Sequence, residues 1–211
     1  TPDIHAVLRE QPADTLDPAK LSNQTDYARS RMLYSCLTTF DGSLAPRPAL
    51  AESFVTTDAR RWRFTLRRGV TFHDGRALHA DDVVFSLMRH KDPNTVSKAK
   101  IFADQIASVR AVSADVVEIV LHEPNADLPV MLGMFWFAIV QAGTRDFHAG
   151  IGTGPFRVKG FKRGLRSIMV RNPGYWREGR PYVDEIVFEG LGDERARVNA
   201  LLSGDLDLVA A

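Results

Sequence analysis

The chain has 211 residues, 45% hydrophobic and 25% charged, which is the profile of a soluble globular protein. A single cysteine, Cys36, excludes a disulfide scaffold. Lys+Arg is 27 and Asp+Glu is 26, so the net charge of +1 gives no global attraction to nucleic acid or to an anionic membrane.

No stretch reaches the roughly 18 apolar residues of a transmembrane helix. The segment from Val130 to Val140 is too short and contains Gly133. Thr1-Pro2-Asp3 lacks a basic segment followed by an apolar one, so no signal peptide is expected in this chain. Composition is compatible with a cytoplasmic protein or with one whose signal has been removed.

Ile4 to Arg9 reads as a short apolar strand, followed by a loop from Gln11 to Lys20 that carries Pro12 and Pro18. Leu33, Cys36, Leu37 and Phe40 fall at i, i+3, i+4 and i+7, which predicts a helix, with Thr25 or Asp26 as its cap. Asp41-Gly42 predicts a turn, and Pro46 and Pro48 keep the next segment extended. Arg61 to Arg67 alternates, with Trp62, Phe64 and Leu66 on one face and Arg61, Arg63, Thr65 and Arg67 on the other, which predicts a half-buried strand. The arginines around it admit a nucleic-acid surface. A stacking platform, however, needs aromatics and arginines on one exposed face, and here they oppose each other.

Asp74-Gly75 marks a turn. Ala80, Val84, Leu87 and Met88 then predict a helix with Asp81 and Asp82 in its first turn, where negative charge complements the helix dipole. Adjacent helix positions do not face one another, which argues against an acid–base couple there. Ile106 to Val112 and Val116 to Leu121 predict a hairpin. Asn125 to Leu132 predicts a short helix with Pro129 near its start, and Phe135 to Val140 a buried strand. Phe156 to Phe161 and Leu165 to Val170 predict a second hairpin, and Val183 to Phe188 a strand. Asp193 caps a predicted helix carrying Val198, Leu201 and Leu202, with Gly204 past its end. Leu206 to Val209 begins a further strand. Many strands in mixed order with few helices give an α/β or mixed α+β protein.

Catalytic motifs are missing from the sequence. It has no Gly-x-Ser-x-Gly elbow, Walker loop or dinucleotide fingerprint. None of the six histidines pairs with another at i+4, and there is no second cysteine, so neither a metal site nor a cofactor is expected. Gly150-Ile151-Gly152-Thr153-Gly154-Pro155 looks like a phosphate loop, but a strand follows it and Pro155 removes a donor. The favoured reading is a close crossing that only small residues permit.

Several segments in one order resemble the extracytoplasmic solute-binding proteins of peptide and nickel ABC importers, family 5. They are Leu16-Asp17-Pro18; Pro48 to Phe54 (Pro-Ala-Leu-Ala-Glu-Ser-Phe); Phe64 to Gly75 (Phe-Thr-Leu-Arg-Arg-Gly-Val-Thr-Phe-His-Asp-Gly); and Ala80 to Leu87. Gly152-Thr153-Gly154-Pro155-Phe156, Arg171-Asn172 with Tyr175-Trp176, and Ser203 to Asp207 complete the set. His79 stands where a capping Thr is usual, a departure that costs about 1 kcal/mol.

The resemblance implies a fold like the class II periplasmic binding proteins, with lobes of mixed sheets flanked by helices. Residues 1–40 and 152–211 would form an incomplete main lobe, and 41–151 a smaller inserted lobe. A third lobe, which follows in the family, would lie beyond Ala211. It also implies a periplasmic, monomeric receptor without enzymatic activity. Such a receptor captures a small solute, most readily a short peptide, by closure of two lobes and delivers it to ABC permease subunits. The alternatives are a sensor or chaperone-like relative uncoupled from transport, or a nickel chelate, an opine or a sugar as ligand. No nucleic-acid partner is expected. Three clusters are the expected ligand contacts: Glu10, Gln11 and Pro12 in the loop after the first strand; Ser22, Asn23 and Gln24, which serve equally as helix caps; and Trp136 and Phe137, which also fit a core.

Overall fold

The computed structural model describes residues 3–7, 13–191 and 193–209. Glu10, Gln11 and Pro12 lie outside the described residues.

The chain begins with β1 (Ile4–Val7) and, after a 3-10 turn at Pro18–Lys20, enters α1 (Gln24–Leu33). The next three strands are β2 (Thr38–Phe40), β3 (Pro46–Pro48) and β4 (Ala51–Thr56), followed by β5 (Arg61–Leu66) and α2 (Ala80–Met88). A short α3 (Lys100–Ala103) precedes the hairpin of β6 (Ile106–Ser113) and β7 (Val116–Leu121). Then come α4 (Leu128–Met131), a 3-10 turn at Phe135–Phe137, and the hairpin of β8 (Phe156–Lys162) and β9 (Arg166–Arg171). Last are β10 (Glu185–Glu189), α5 (Glu194–Ser203) and β11 (Leu208–Val209).

Two larger sheets organise these elements. One has the order β4-β5-β7-β6 with antiparallel pairing throughout. The alternation in β5 buries Trp62, Phe64 and Leu66 and leaves Arg61 and Arg63 exposed. The same inner face receives Val117, Ile119 and Leu121 from β7 and Val83 and Leu87 from α2, which forms the larger core. On the outer face Glu118 accepts from Arg61 at 2.9 Å and from Arg110 at 2.8 Å. The aromatics and arginines of β5 therefore do lie on opposite faces, and the rings are core.

The second sheet has the order β11-β1-β10-β9-β8. Its strands come from both ends of the chain: Ile4 lies opposite Ile186 in a parallel pair, and β1 also pairs in parallel with β11. Parallel neighbours need a crossover, and here the connection from β1 to β10 holds everything in between, β8 and β9 included. The smaller core sits on this sheet under α1 and includes Leu33, Tyr34, Phe156, Met169 and Phe188. A two-stranded ribbon of β2 and β3 turns at Asp41, whose carboxylate accepts the N–H groups of Ser43 and Ala45.

Three local expectations fail. Residues 33–40 are not helical: α1 ends at Leu33 and Thr38–Phe40 is a strand. Leu33, Cys36 and Leu37 are buried and no residue from 33 to 40 is exposed, so the apolar spacing has no polar side to test it against. The cap of α1 is Asn23, whose Oδ1 accepts the Asp26 N–H at 2.9 Å. Thr25 and Asp26 lie inside the helix. Residues 135–140 form a 3-10 turn and an extended run without a ladder partner. Their backbone bonds go elsewhere: Ile139 N–H donates to the Ser35 carbonyl at 2.9 Å, and Val140 N–H to the Ser86 hydroxyl at 2.9 Å.

The glycine segment is the close crossing its composition suggests. A Cβ on Gly152 would fall 2.0 Å from the Leu33 carbonyl oxygen, and one on Gly154 would fall 2.3 Å from that of Met32. Gly154 N–H donates to the Leu33 carbonyl at 2.9 Å, so this crossing also ends α1. The cap missing at His79 is partly replaced by Asp82, which accepts the His79 N–H at 2.9 Å. Asp82 is buried, pairs with Arg76 and accepts the Ala142 N–H at 2.8 Å, which fully explains this carboxylate as structural.

Candidate solute-binding surface

The start of α1 and the 3-10 turn at Phe135–Phe137 meet. Tyr27 stacks on Phe135 with centroids 4.0 Å apart. Phe135 lies 4.4 Å from Trp136, and Trp136 meets Tyr27 edge-on at 6.0 Å. The Trp136 indole N–H donates to the Leu21 carbonyl at 3.2 Å, which fixes that ring against the loop before α1. All three rings are half-buried, so each shows part of its surface to solvent. Exposed Ser22 and Gln24 flank them. The result is an aromatic ledge beside short polar groups at a helix start.

A buried ionic network holds the ledge in place. Arg29 is fully buried and pairs with Asp26 at 2.7 Å and Asp14 at 3.0 Å. It also donates to Ser167 of β9 at 3.0 Å and lies 5.1 Å above the Phe161 ring. Asp26 accepts N–H bonds from Thr15 at 3.0 Å and Ser22 at 3.4 Å, so one side chain winds the 13–23 loop onto the helix. Asn23 adds a bond to Asp14 at 3.0 Å. Asp17 caps the Pro18–Lys20 turn and grips Arg89 of the adjoining 3-10 turn with two bonds of 2.9 and 3.0 Å. The buried Tyr34 hydroxyl donates to the Leu16 carbonyl at 2.8 Å, and burial pushes its pKa well above the usual tyrosine value. Breaking a buried pair by removing one partner costs about 3–5 kcal/mol, so this loop is a rigid mount.

The structure thus brings Ser22, Asn23, Gln24 and Trp136 together, but it divides their roles. Ser22, Gln24 and Trp136 present surface. The Asn23 side chain is committed to capping and to Asp14. Phe137 is 1% exposed and packs on His90 at 4.9 Å, so it belongs to the core and not to the ledge. Burial lowers the His90 pKa to about 4, and its Nδ1 lies 2.7 Å from the Ser97 hydroxyl.

Sequence reasoning misses Tyr27 and Phe135. The signal for Tyr27 is its place one turn past Asn23 and Gln24, which returns it to their side of the helix. Nothing in the pattern marks Phe135, because the run from 134 to 140 is apolar throughout. The Asp26–Arg29 pair is also missed, since an i, i+3 ion pair ordinarily reads as a solvated face.

Stacked rings with polar neighbours can hold apolar or aromatic groups of a solute and accept or donate a few hydrogen bonds. Among the described residues, no group of three or more His, Cys, Asp or Glu residues is placed to hold a metal ion. None of the helices there is long and apolar enough to cross a membrane.

Solved structures share this architecture. Over 98% of this chain and 45% of its own length, the Escherichia coli murein tripeptide binding protein MppA superposes with a TM-score of 0.89 at 26% identity. AgaA of Agrobacterium tumefaciens, solved with agropinic acid, gives a TM-score of 0.90 at 27% identity over 99% of this chain and 43% of its own. The class is therefore the mixed α/β periplasmic-binding-protein fold. Residues 45–211 match the family model of bacterial extracellular solute-binding proteins, family 5 (middle part), and the chain belongs to that family. The Haemophilus influenzae heme-binding protein A is 34% identical over 91% of this chain and 41% of the relative. Di/tripeptide-binding protein 2 of Pseudomonas aeruginosa is 31% identical over 95% of this chain and 43% of the relative. The chain thus spans about two-fifths of the length of the curated relatives it matches.

Proposed function

We propose that this chain is part of a periplasmic receptor that captures a short peptide and hands it to the permease subunits of an ABC importer, without chemical transformation of the ligand. Relatives of this family carry names that specify di- and tripeptides and heme, and one is solved with agropinic acid. The observation that carries the peptide reading is the ledge of Tyr27, Phe135 and Trp136 beside exposed Ser22 and Gln24. It offers flat apolar area for a side chain and polar groups for a main chain, both on a rigid mount.

In the same reading, the five-stranded sheet and α1 form the main lobe. The 41–151 segment forms the inserted lobe, and further chain closes over the ledge. Half a clamp leaves much of a ligand wet, so the 211 residues alone bind weakly. The test is calorimetric titration of a di- to pentapeptide pool into the protein encoded by the complete gene, and into the 211-residue chain. Micromolar binding by the first and none at that level by the second supports the proposal. Binding of heme, a nickel chelate or an opine, with no heat from peptides, overturns the peptide reading.

A further inference from the structure

A cavity of about 380 Å³ opens between the 13–20 loop, the 145–148 segment and the turn joining β8 to β9. Its wall includes Thr15, Lys20, Arg145, His148, Phe161 and Arg163. A second cavity of about 380 Å³ shares Asp17, Lys20, Arg145 and Phe147 with the first and adds Arg89. Neither contains a residue of the aromatic ledge.

Most charges here are already spent. Asp17 holds Arg89 with both oxygens, at 2.9 and 3.0 Å, and its distance to Lys20 Nζ is 3.9 Å. Asp146 Oδ1 accepts the His148 N–H at 2.9 Å and offsets one cation. Asp92, on the second cavity, caps its own turn by accepting the Asn94 N–H at 2.9 Å. Among the described residues, the side chains of Arg145 and Arg163 have no ion-pair or hydrogen-bond partner. With Arg89 cancelling Asp17, the first cavity keeps two positive charges more than its carboxylates neutralise.

These cations come from three separate stretches of chain and line one concavity. Like charges gathered without a counter-ion repel, so the arrangement is relieved by an anion in the middle. Phe147, with the Arg89 guanidinium 4.5 Å from its ring centre, and Phe161, beneath Arg29 at 5.1 Å, give the cavity an apolar floor that strengthens such attraction. A planar carboxylate engages one guanidinium fork well. A tetrahedral dianion accepts from several directions and suits two guanidinium groups and an ammonium together. We propose that the cavity lined by Lys20, Arg145 and Arg163 binds a phosphate-monoester-type dianion, free or borne on a lipid headgroup. This site is separate from the solute reading and does not depend on it.

The test uses the protein encoded by the complete gene. Inorganic phosphate is titrated at constant ionic strength against chloride, by calorimetry and by thermal shift. A flotation assay compares vesicles of phosphatidylcholine with and without phosphatidic acid. Saturable phosphate binding that weakens at least tenfold in Arg145→Ala/Arg163→Ala supports the proposal and assigns a free ligand. Flotation with phosphatidic acid vesicles alone, lost in the same variant, supports it and assigns the headgroup. Equal melting temperatures of variant and parent in chloride show that the variant folds, and Arg145→Lys/Arg163→Lys retains part of the binding. No phosphate effect beyond chloride together with no selective flotation overturns the proposal, as does binding that the alanine variant leaves unchanged.

Discussion

In the four-stranded sheet, all the strands lie between Ala51 and Leu121, and the core they share is lined by alternating side chains of β5 and β7. In the five-stranded sheet, Ile4 lies opposite Ile186, and the intervening chain must be brought back before β1 has a neighbour. The first region is specified by local pattern, with apolar residues two apart and turns at Asp74-Gly75 and Ser113–Asp115. The second is specified by individual contacts across long sequence separations: Arg29 reaching Ser167, and Gly152 and Gly154 passing over the end of α1. It also carries exposed apolar side chains on its last helix. On α5, Val198 is 47% exposed, Leu201 42% and Leu202 79%. The ledge joins Tyr27 of α1 in this second region to Phe135 and Trp136 of a turn that packs against the larger core, so the surface assigned to solute depends on contacts of high specificity rather than on periodicity.

The contrast predicts where single changes hurt. Gly154→Ala places a methyl group 2.3 Å from a backbone oxygen, where nothing flexible can yield. It should cost more than about 4 kcal/mol, read as a lowered urea midpoint. Phe64→Ala in the four-stranded sheet should cost about 3–5 kcal/mol by the same measurement, because it empties a fully buried ring from a packed core. If Gly154→Ala proves milder than Phe64→Ala, the crossing is less tight than described.

Acidification gives the next effect. His90 fits its buried place as a neutral ring, with a pKa of about 4 against 6.5 for the free side chain. The unfolded chain therefore takes up the proton first as pH falls. The stability from this residue is complete above pH 6.5 and shrinks by about 3 kcal/mol down to pH 4. His73 acts in the same direction: burial lowers its pKa, while its ring accepts the Gly152 N–H at 3.2 Å and sits 3.1 Å from the Gly154 carbonyl. Chemical denaturation between pH 7 and pH 4 checks this, and a His90→Gln variant should flatten the profile. The smallest effect belongs to α5. Leu202→Gln should change stability by less than about 0.5 kcal/mol, since its side chain is mostly solvated in this structure. A larger loss measured in the protein encoded by the complete gene would show that further chain covers this face.

Much of this architecture is legible in the residues. The alternation of β5, the two hairpins, the Asp193 cap and Gly204 at φ 81° are all written locally. The segments around Leu33–Phe40 and Phe135–Val140 are not, because neither holds a solvent-exposed residue that would mark a polar side and reveal a period. The ledge is half legible for a related reason. Ser22, Gln24 and Trp136 stand out as residue types, whereas Tyr27 and Phe135 gain their role only when α1 and the 3-10 turn meet. Phe137, next in line, turns into the core, and no sequence feature separates it from Trp136.

The most direct measurement is calorimetric titration of the protein encoded by the complete gene with the peptide pool, comparing the parent with Tyr27→Leu and Gln24→Ala. Both changes sit at the ledge and outside the Arg29 network, and a thermal melt confirms that each variant folds. The account predicts that affinity falls at least tenfold in Tyr27→Leu, and by a smaller factor in Gln24→Ala. Unchanged peptide affinity in both folded variants would contradict it and place the solute elsewhere on the molecule.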